Sequence, residues 1–412
     1  FLKQDYKSIK FWQAFKLFNT MSKHKKTIYL DYAATTPVDK RVLQAMQPYF
    51  NQKFGNTMSL YSLGREAKYA LEKSRKTIAN LLHAKTDEII FTGSATESVN
   101  WALKGVAFKN KSKGNHLIIS AIEHSCVRNT AQWLQSQGFE VTEIKPNRLG
   151  ILNPKDIAKA IRKNTILVSI IHGQNEIGTL QPIGAIGKIC REKKIYFHTE
   201  LSQTFGKIPI NVSKMNIDLL TASSHKIYGP KGAACLFIRE GVAIEPYLHG
   251  GGQENNLRPS TVNVPAIVGF AKAAELCQKE MATESLRLIN LRDKLIKGIL
   301  VSIKGSHLTG HPRKRLANNV NFWFDFVEGE AIVMKLDLLG ICASTGSACS
   351  SQDLTPSYVL LSLGLPAYKA QGSLRLTLGR GTTEKDINYT LQVLPQVIHD
   401  LRLISPFKKN YE

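Results

Sequence analysis

Short apolar runs alternate with amphipathic stretches from residue 27 to about residue 280. Seven runs have the length and composition of buried strands: Thr27–Asp31, Ile89–Thr92, His116–Ser120, Ile166–Ile170, Ile195–His198, Asp218–Thr221 and Ala234–Ile238. Several of them are separated by stretches of helical periodicity, namely Arg65–Leu82, Thr96–Ala107, Ser125–Gln137 and Ile186–Lys194. Buried strands separated by helices predict β–α–β units and a mostly parallel sheet, which is an α/β fold.

The pattern changes after about residue 280. A long helix is predicted over Glu284–Ile303, and alternating strands followed by helices come after it. We therefore predict a large α/β domain over residues 36–283 and a smaller α+β domain over residues 284–412. Residues 21–35 are expected to pack with the small domain.

Residues 1–20 are interpreted as an extension outside the folded unit. Their lysines alternate with apolar residues at roughly helical spacing, which also suits a transit peptide or a membrane-surface helix. The absence of arginine and the presence of Asp5 argue against a transit peptide. Met21 opens a stretch that resembles a natural protein start.

Composition narrows the class of protein. The 412 residues are 43% hydrophobic and 21% charged, as in a globular chain, and no apolar run approaches the ~20 residues that span a bilayer. The six cysteines are widely spaced and form no C-x-x-C pair, which indicates a reducing compartment. The prediction is a cytoplasmic protein, or a mitochondrial matrix protein if residues 1–20 are a transit segment.

The net charge of +23 favours anionic partners. The basic residues form only short clusters, and none is interleaved with aromatic residues as in a nucleic-acid platform. The chain is therefore predicted to bind neither nucleic acid nor a membrane, and the charge is interpreted mainly as solubilising.

Three segments carry candidate cofactor chemistry. Lys226 follows a predicted strand, where a lysine can form a Schiff base with a carbonyl cofactor. Glu200 lies just past another strand, where a carboxylate reaches the ligand crevice of an α/β sheet. The run Thr92–Ser98 leads from a strand into a helix, a ready phosphate site, although Ser94 or Thr96 is equally typical of an ordinary helix cap.

Two further residues are candidates for substrate chemistry. Cys349 lies among small residues, which suggests an exposed thiol rather than a core cysteine. Arg375 lies in a β-like alternation and could hold a substrate carboxylate by bidentate hydrogen bonds, unless it forms a surface salt bridge.

Together these segments resemble the cysteine desulfurases, which are fold-type-I pyridoxal-phosphate enzymes, and the resemblance extends over residues 27–406. The most specific segments are residues 29–37 (YLDYAATTP), 175–178 (NEIG), 223–232, 250–254 (GGGQE) and 346–349 (GSAC). The small-residue loop around Cys349 is similar to the branch that contains the housekeeping iron–sulfur-cluster enzymes. The resemblance implies a large domain with a mostly parallel seven-stranded sheet.

The resemblance also implies a function. The chain would release L-alanine from L-cysteine and leave the sulfur as a persulfide on Cys349, for iron–sulfur cluster assembly or tRNA thiolation. Its partners would be a second copy of the chain and a scaffold or other sulfur acceptor. No resident metal is expected, apart from transient ligation of a nascent cluster by Cys349. The alternatives are an impaired paralogue or a sibling enzyme such as a selenocysteine lyase or an aminotransferase.

By the same resemblance, Lys226 would hold pyridoxal phosphate covalently and move the α-proton of the substrate. His124 would stack on the cofactor ring and handle protons. Arg375 would clamp the carboxylate of L-cysteine, and Asn175 would contact both substrate and cofactor. The other implied cofactor contacts are Glu200 at the ring nitrogen, Gln203 at the phenolic oxygen, and Ala95, Thr96, Ser223, His225 and, from the other subunit, Thr261 at the phosphate.

Three differences from the family pattern bear on the structure. Glu200 stands where the family has Asp. Gly93-Ser94 replaces Ser-Gly in the phosphate turn, and Ser94 would be strained if that position needs a positive φ. Pro259-Ser260 replaces Ser-Gly ahead of Thr261.

Overall fold

The computed structural model describes residues 27–346 and 355–405. Its strands are β1 (Ile28–Tyr29), β2 (Ile89–Thr92), β3 (His116–Ser120), β4 (Glu140–Ile144), β5 (Thr165–Ile171), β6 (Tyr196–Glu200), β7 (Leu219–Ser223), β8 (Ala234–Ile238), β9 (Ser306–Leu308), β10 (Asn319–Phe324), β11 (Ile341–Cys342) and β12 (Ser373–Thr377). Its α-helices are α1 (Lys40–Met46), α2 (Pro48–Asn51), α3 (Ser62–Leu82), α4 (Ala95–Lys109), α5 (Ser125–Ser136), α6 (Pro154–Ala160), α7 (Ile183–Glu192), α8 (Val264–Ser302), α9 (Gly329–Leu338), α10 (Tyr358–Ser362), α11 (Ala367–Ala370) and α12 (Glu384–Leu403).

A seven-stranded sheet in the order β2-β8-β7-β6-β5-β3-β4 forms the centre of the larger part. The pairs from β7 to β4 are all parallel, whereas β8 runs antiparallel to both of its neighbours. The predicted mostly parallel sheet is confirmed. The carboxyl ends of β3, β5, β6 and β7 consequently meet at one edge of the sheet.

Helices cover both faces of this sheet. Ile90, Leu117 and Leu219 point to the face that α4 and α5 cover. Phe91 and Phe197 point to the opposite face, where residues of α3, α7 and α8 complete a second cluster. Because the central strands are buried on both faces, they are continuous apolar runs rather than alternating ones.

A smaller antiparallel sheet in the order β12-β10-β9 packs against the second half of α8 and against α12. Ile28 and Leu30 lie in the same core, and β1 pairs in parallel with β11. The helix predicted to begin at Glu284 begins at Val264, so α8 is one 39-residue helix that serves both cores. The proposed division at residue 283 therefore falls inside a continuous helix.

Within residues 27–346 and 355–405, no helix is long and apolar enough to cross a membrane.

Candidate active site

A cavity of about 450 Å³ opens at the carboxyl edge of the large sheet. Segments that follow β3, β5, β6 and β7 supply its walls, together with the loop before α4. It is lined by Ala34, Thr35, Gly93, Ser94, Ala95, Thr96, His124, Cys126, Asn175, Glu200, Ser202, Gln203, Ser223, His225, Lys226, Lys231, Gly232 and Ala233. Nine of the residues implied by the resemblance are thus brought together, although they are spread over about 130 positions of sequence.

Part of the cavity wall has the donors that an anion needs. The Ser94 side chain accepts from the N–H of Glu97 at 3.1 Å, and the Ser94 carbonyl accepts from Ser98. The N–H groups of Ala95 and Thr96 have no partner in the described protein, so they remain for a ligand at the amino end of α4. Ser94 has an extended φ of −163° and is a normal N-cap. The backbone strain considered for a serine at this position is therefore absent.

Ser223, at the last position of β7, lines the same cavity. Its hydroxyl is buried and has no hydrogen-bond partner. A buried polar group without a partner is costly, so this hydroxyl is suited to bind a polar ligand in the cavity.

The short 3₁₀ helix Ser224–Lys226 follows β7 directly and places Lys226 in the cavity wall. His225 is held by Thr35, whose hydroxyl lies 3.1 Å from Nδ1. Burial, and then the positive charges of Lys226, Lys231 and Lys207, lower the pKa of His225 to about 4. His225 is therefore a neutral ring at physiological pH.

The cavity wall also carries a buried carboxylate and a buried amide. Glu200 ends β6, and its Oε1 accepts from the N–H of Ser202 at 2.6 Å. Gln203 donates from Nε2 to the carbonyl of Ala33 at 2.9 Å, while its Oε1 is buried without a partner. The amide is therefore only half satisfied by the protein.

His124 and Cys126 form a pair in the cavity wall between β3 and α5. Nδ1 of His124 lies 3.0 Å from Sγ of Cys126 and accepts from the N–H of Cys126 at 3.2 Å. Burial lowers the pKa of His124, the nearby Glu200 opposes this shift, and Lys226 adds to it. Sequence reasoning missed Cys126; its position two residues after the candidate histidine, at a helix start, was the available signal.

Arg375 does not line the cavity, but it is coupled to it. Its guanidinium donates to the carbonyl of Asn175 at 3.1 Å and to Asp31 at 2.9 Å. The residue is only 2% exposed, so its ion pair with Asp31 is a buried one and not the surface salt bridge considered for it. Its Nε has no partner among the described residues. A buried cation with a free donor beside Asn175 can still take a second carboxylate.

Two predicted site residues are not part of this assembly. Cys349 lies outside the described residues, so its predicted function is not tested by the structure. Thr261 is exposed and does not line the cavity of its own chain.

The residues present fit pyridoxal phosphate. A phosphate needs N–H and hydroxyl donors, which the free amides of α4 and the unpartnered Ser223 provide. A pyridine ring needs polar groups at its edge and an amine for its aldehyde, which Glu200, Gln203 and Lys226 supply. The unpartnered atoms of Ser223 and Gln203 and the free amides of α4 belong to residues that line one cavity, as a single ligand requires.

Comparison with known proteins gives consistent matches. The Aminotransferase class-V family matches residues 28–390. A cysteine desulfurase IscS from Methanosarcina thermophila is 50% identical over 94% of this chain and 95% of its own length. A second, from Dictyoglomus turgidum, is 50% identical over 94% of this chain and 98% of its own length.

Solved structures agree with these relatives. A NifS-like protein superposes with a TM-score of 0.86 at 34% identity, over 91% of this chain and all of that one. SspA in complex with cysteine superposes with a TM-score of 0.77 at 37% identity, over 85% of this chain and 99% of that one.

Proposed function

The chain belongs to the class-V aminotransferase family and, within it, to the cysteine desulfurases, and we propose that the cavity at the sheet edge is where it removes sulfur from L-cysteine. The enzyme depends on pyridoxal phosphate. It passes the sulfur to an acceptor protein. An iron–sulfur scaffold as that acceptor, and tRNA thiolation as the alternative destination, are part of the proposal.

The phosphate of the cofactor would be held by the amides of Ala95 and Thr96 and by Ser223. His225, kept neutral by burial, would add a hydrogen bond without adding charge. Glu200 would face the ring nitrogen and Gln203 the phenolic oxygen. When bound, pyridoxal phosphate supplies an electron sink that makes the bonds around the substrate α-carbon labile.

Lys226 would bind the cofactor covalently and would also take the α-proton of the substrate at Nζ. Arg375 would orient the substrate carboxylate next to Asn175. Arg375 is already fixed by Asp31 and the Asn175 carbonyl, so little side-chain freedom is lost when substrate binds.

The Cys349 thiolate would attack the sulfur of the bound substrate. A bond then forms between the two sulfur atoms while the Cβ–S bond of the substrate breaks. The products are L-alanine and a persulfide on Cys349.

The observation that carries this proposal is the set of unsatisfied polar atoms in the wall of the cavity that Lys226 also lines. To test the proposal, we would purify the holoenzyme, add L-cysteine with a thiol reductant, and measure sulfide and alanine. We expect equal amounts of both. A keto acid in place of alanine would indicate an aminotransferase instead, and cofactor colour without any product would indicate a paralogue without activity.

Two variants test the residue assignments. Cys349→Ser should abolish sulfide release and keep the cofactor absorbance, whereas Cys342→Ser, in the nearby strand β11, should keep both. Borohydride reduction followed by peptide mass mapping should place a pyridoxyl group on Lys226. Sulfide release by Cys349→Ser at the normal rate would show that the nucleophile is another residue.

We also propose that the active form is a homodimer. Seven large apolar side chains, each more than half exposed, lie between residues 43 and 69 on α1, α2, the following loop and α3; they are Leu43, Phe50, Phe54, Met58, Leu60, Tyr61 and Tyr69. We call this the 43–69 face. Ala67 and Ala70 beneath it pack on Val264, which is close to the exposed Thr261. A second copy on this face would cover the apolar surface and bring Thr261 to the partner's cavity.

A cytoplasmic location stays a prediction from composition. Residues 1–20, on which the mitochondrial alternative depends, lie outside the described residues.

A further inference from the structure

Cys126 is a thiol in the wall of the cofactor cavity to which the proposed reaction gives no function. It lies at the second position of α5, and His124 is the N-cap of that helix. Most helices use a Ser, Thr, Asp or Asn oxygen as the cap acceptor, but here the acceptor is an imidazole nitrogen.

The cap fixes the proton of His124. A backbone N–H can only donate, and the N–H of Cys126 points at Nδ1 at 3.2 Å. Nδ1 must therefore be the unprotonated nitrogen, and a neutral ring then carries its proton on Nε2. Nε2 makes no hydrogen bond to the described residues, so this N–H is left for a ligand in the cavity.

The side chain of Cys126 adds a second donor to the same nitrogen. Its Sγ lies 3.0 Å from Nδ1. Burial and the negative charge of Glu200 raise the pKa of the thiol, so it keeps its proton and donates it. The pair is thus a neutral thiol and a neutral ring, unlike the thiolate–imidazolium pair of a reactive cysteine.

We infer that Cys126 is a positioning residue that, together with its own N–H, holds His124 as a neutral ring with its proton on Nε2. His124 then acts in the cavity as a hydrogen-bond donor of fixed direction. To become charged it would have to accept a proton at Nδ1, which two donors already occupy. Proton transfer at the substrate α-carbon therefore falls to Lys226.

The charged and titratable groups around His124 come from several elements. Glu200 at the end of β6 favours the charged ring, and Lys226 after β7 opposes it. Glu123, the residue before His124, is a buried carboxyl whose pKa is raised to about 8, chiefly by burial, so it is mostly protonated at neutral pH. All three stay in place when Cys126 is changed, so a difference between variants at position 126 reports on the thiol.

The test uses the holoenzyme labelled with ¹⁵N-histidine, with His124→Gln to assign the ring resonances. In the wild type we expect the pattern of a proton on Nε2 and a pKa of His124 below the ordinary value for histidine, because the ring is buried. Cys126→Ala removes one neutral donor, so the pKa of His124 should rise by about half a unit to one unit. Cys126→Ser keeps a hydroxyl donor and should behave as the wild type does.

The part that His124 takes in catalysis rests on the proposed function. The protonation state of its ring does not, because it is measured from a ring resonance and not from turnover. Equal His124 titration in Cys126→Ala and wild type, with both proteins folded and carrying cofactor, would overturn it. A proton found on Nδ1, or alkylation of Cys126 by iodoacetamide at neutral pH as fast as that of an exposed thiol, would overturn it as well. Absence of desulfurase activity alongside the expected resonances would instead contradict the proposed function.

Discussion

The Glu200 carboxylate is longer by one methylene than the aspartate that the resemblance to the cysteine desulfurases implies at this position, and the structure shows where the longer side chain is held. Its Oε1 turns back to accept from the N–H of Ser202 at 2.6 Å. A carboxylate held by its own loop is fixed in place, but it is offset from where a shorter side chain would put it. An offset near 1 Å at a reacting centre costs on the order of a hundredfold in rate.

We therefore predict that Glu200→Asp raises turnover by about tenfold, within the range that such an offset costs. The measurement is alanine formed per minute at saturating L-cysteine, normalised to bound cofactor. Glu200→Gln, which keeps the length and loses the charge, is the matched control and should be slower than wild type. A fall in Glu200→Asp would show that the Ser202 loop has adapted to glutamate.

The backbone of Ser260 has a conformation that is strained for serine but not for glycine. Its φ is +114°, a region that side-chain-bearing residues avoid, and it lies directly before Thr261. Ser260→Gly should raise the free energy of unfolding by about 1 kcal/mol, because the relief of strain exceeds the entropy that glycine adds to the unfolded chain. Urea denaturation measures this difference.

Ser94→Gly is the control for Ser260→Gly. The resemblance to the cysteine desulfurases implies a glycine at both positions, but Ser94 has an extended φ of −163° and caps α4. Ser94→Gly should therefore lower the stability by a few tenths of a kcal/mol. Equal effects of the two substitutions would mean that backbone strain at Ser260 is not the cause.

The sequence was sufficient to assign some residues to the site but not others. Lys226 and Glu200 lie within a few residues of strand ends, so the α/β pattern alone predicted their place at one edge of the sheet, whereas Ser223 was predicted only from the family resemblance. Cys126 and the Asp31 partner of Arg375 could not be found this way. Their functions depend on a rotamer and on a contact across more than 340 positions of sequence, and neither leaves a periodic signal.

At the scale of elements, one buried ion pair fixes the segment that leads to Thr261. Arg75 of α3 donates from both terminal nitrogens to Glu254 at 2.7 Å, and Glu254 also accepts from the N–H of Phe91 in β2 at 2.8 Å. Glu254, Asn255 and Asn256 all have positive φ. The ion pair therefore holds an unfavourable backbone turn against the edge of the large sheet.

Glu254→Gln should destabilise the protein by about 3 kcal/mol, because it leaves the Arg75 charge buried without a full counter-charge. Urea denaturation again gives the value. Lys85→Met, which breaks the pair with Glu240, is the control; both of those side chains are well exposed, so stability should not change measurably. A loss below about 1 kcal/mol in Glu254→Gln would show that the turn is held by other contacts.

The elements that the sequence predicted are those with strong apolar patterns. Six strands of the large sheet were found, and β4 was missed because its residues, EVTEI, include two glutamates and it lies at the sheet edge, where one side stays exposed. The start of α8 was placed twenty residues late, at Glu284 and not Val264, because its first half is small and apolar on several sides, without an amphipathic stripe.

At the scale of the whole molecule, part of the +23 charge is structural. Arg315 belongs to a short basic cluster in sequence, but it is only 4% exposed. Its guanidinium donates to the carbonyls of Ile177, Thr309 and Asn319. It therefore joins a loop of the large sheet to the small sheet, so the count of basic residues overstates the charge available to partners.

The proposed homodimer can be tested by introducing a charge in the 43–69 face. Phe54 and Leu60 are 64% and 89% exposed, and a charge at either would be buried without a partner if a second copy covers the face. We expect Phe54→Glu and Leu60→Glu to be monomers by sedimentation equilibrium at micromolar concentration, and to lose cofactor more readily because Thr261 of the partner is withdrawn from the phosphate.

The control for these two variants is Val301→Glu. Val301 is 79% exposed and lies near the far end of α8, about 55 Å from Val264 at 1.5 Å per residue. It should keep the wild-type mass and cofactor content, because that end of the helix is remote from the 43–69 face. If Phe54→Glu and Leu60→Glu stay dimeric, a different surface joins the two copies. The proposed dimer through the 43–69 face and the proposed contact of Thr261 with the partner's phosphate would then both be wrong.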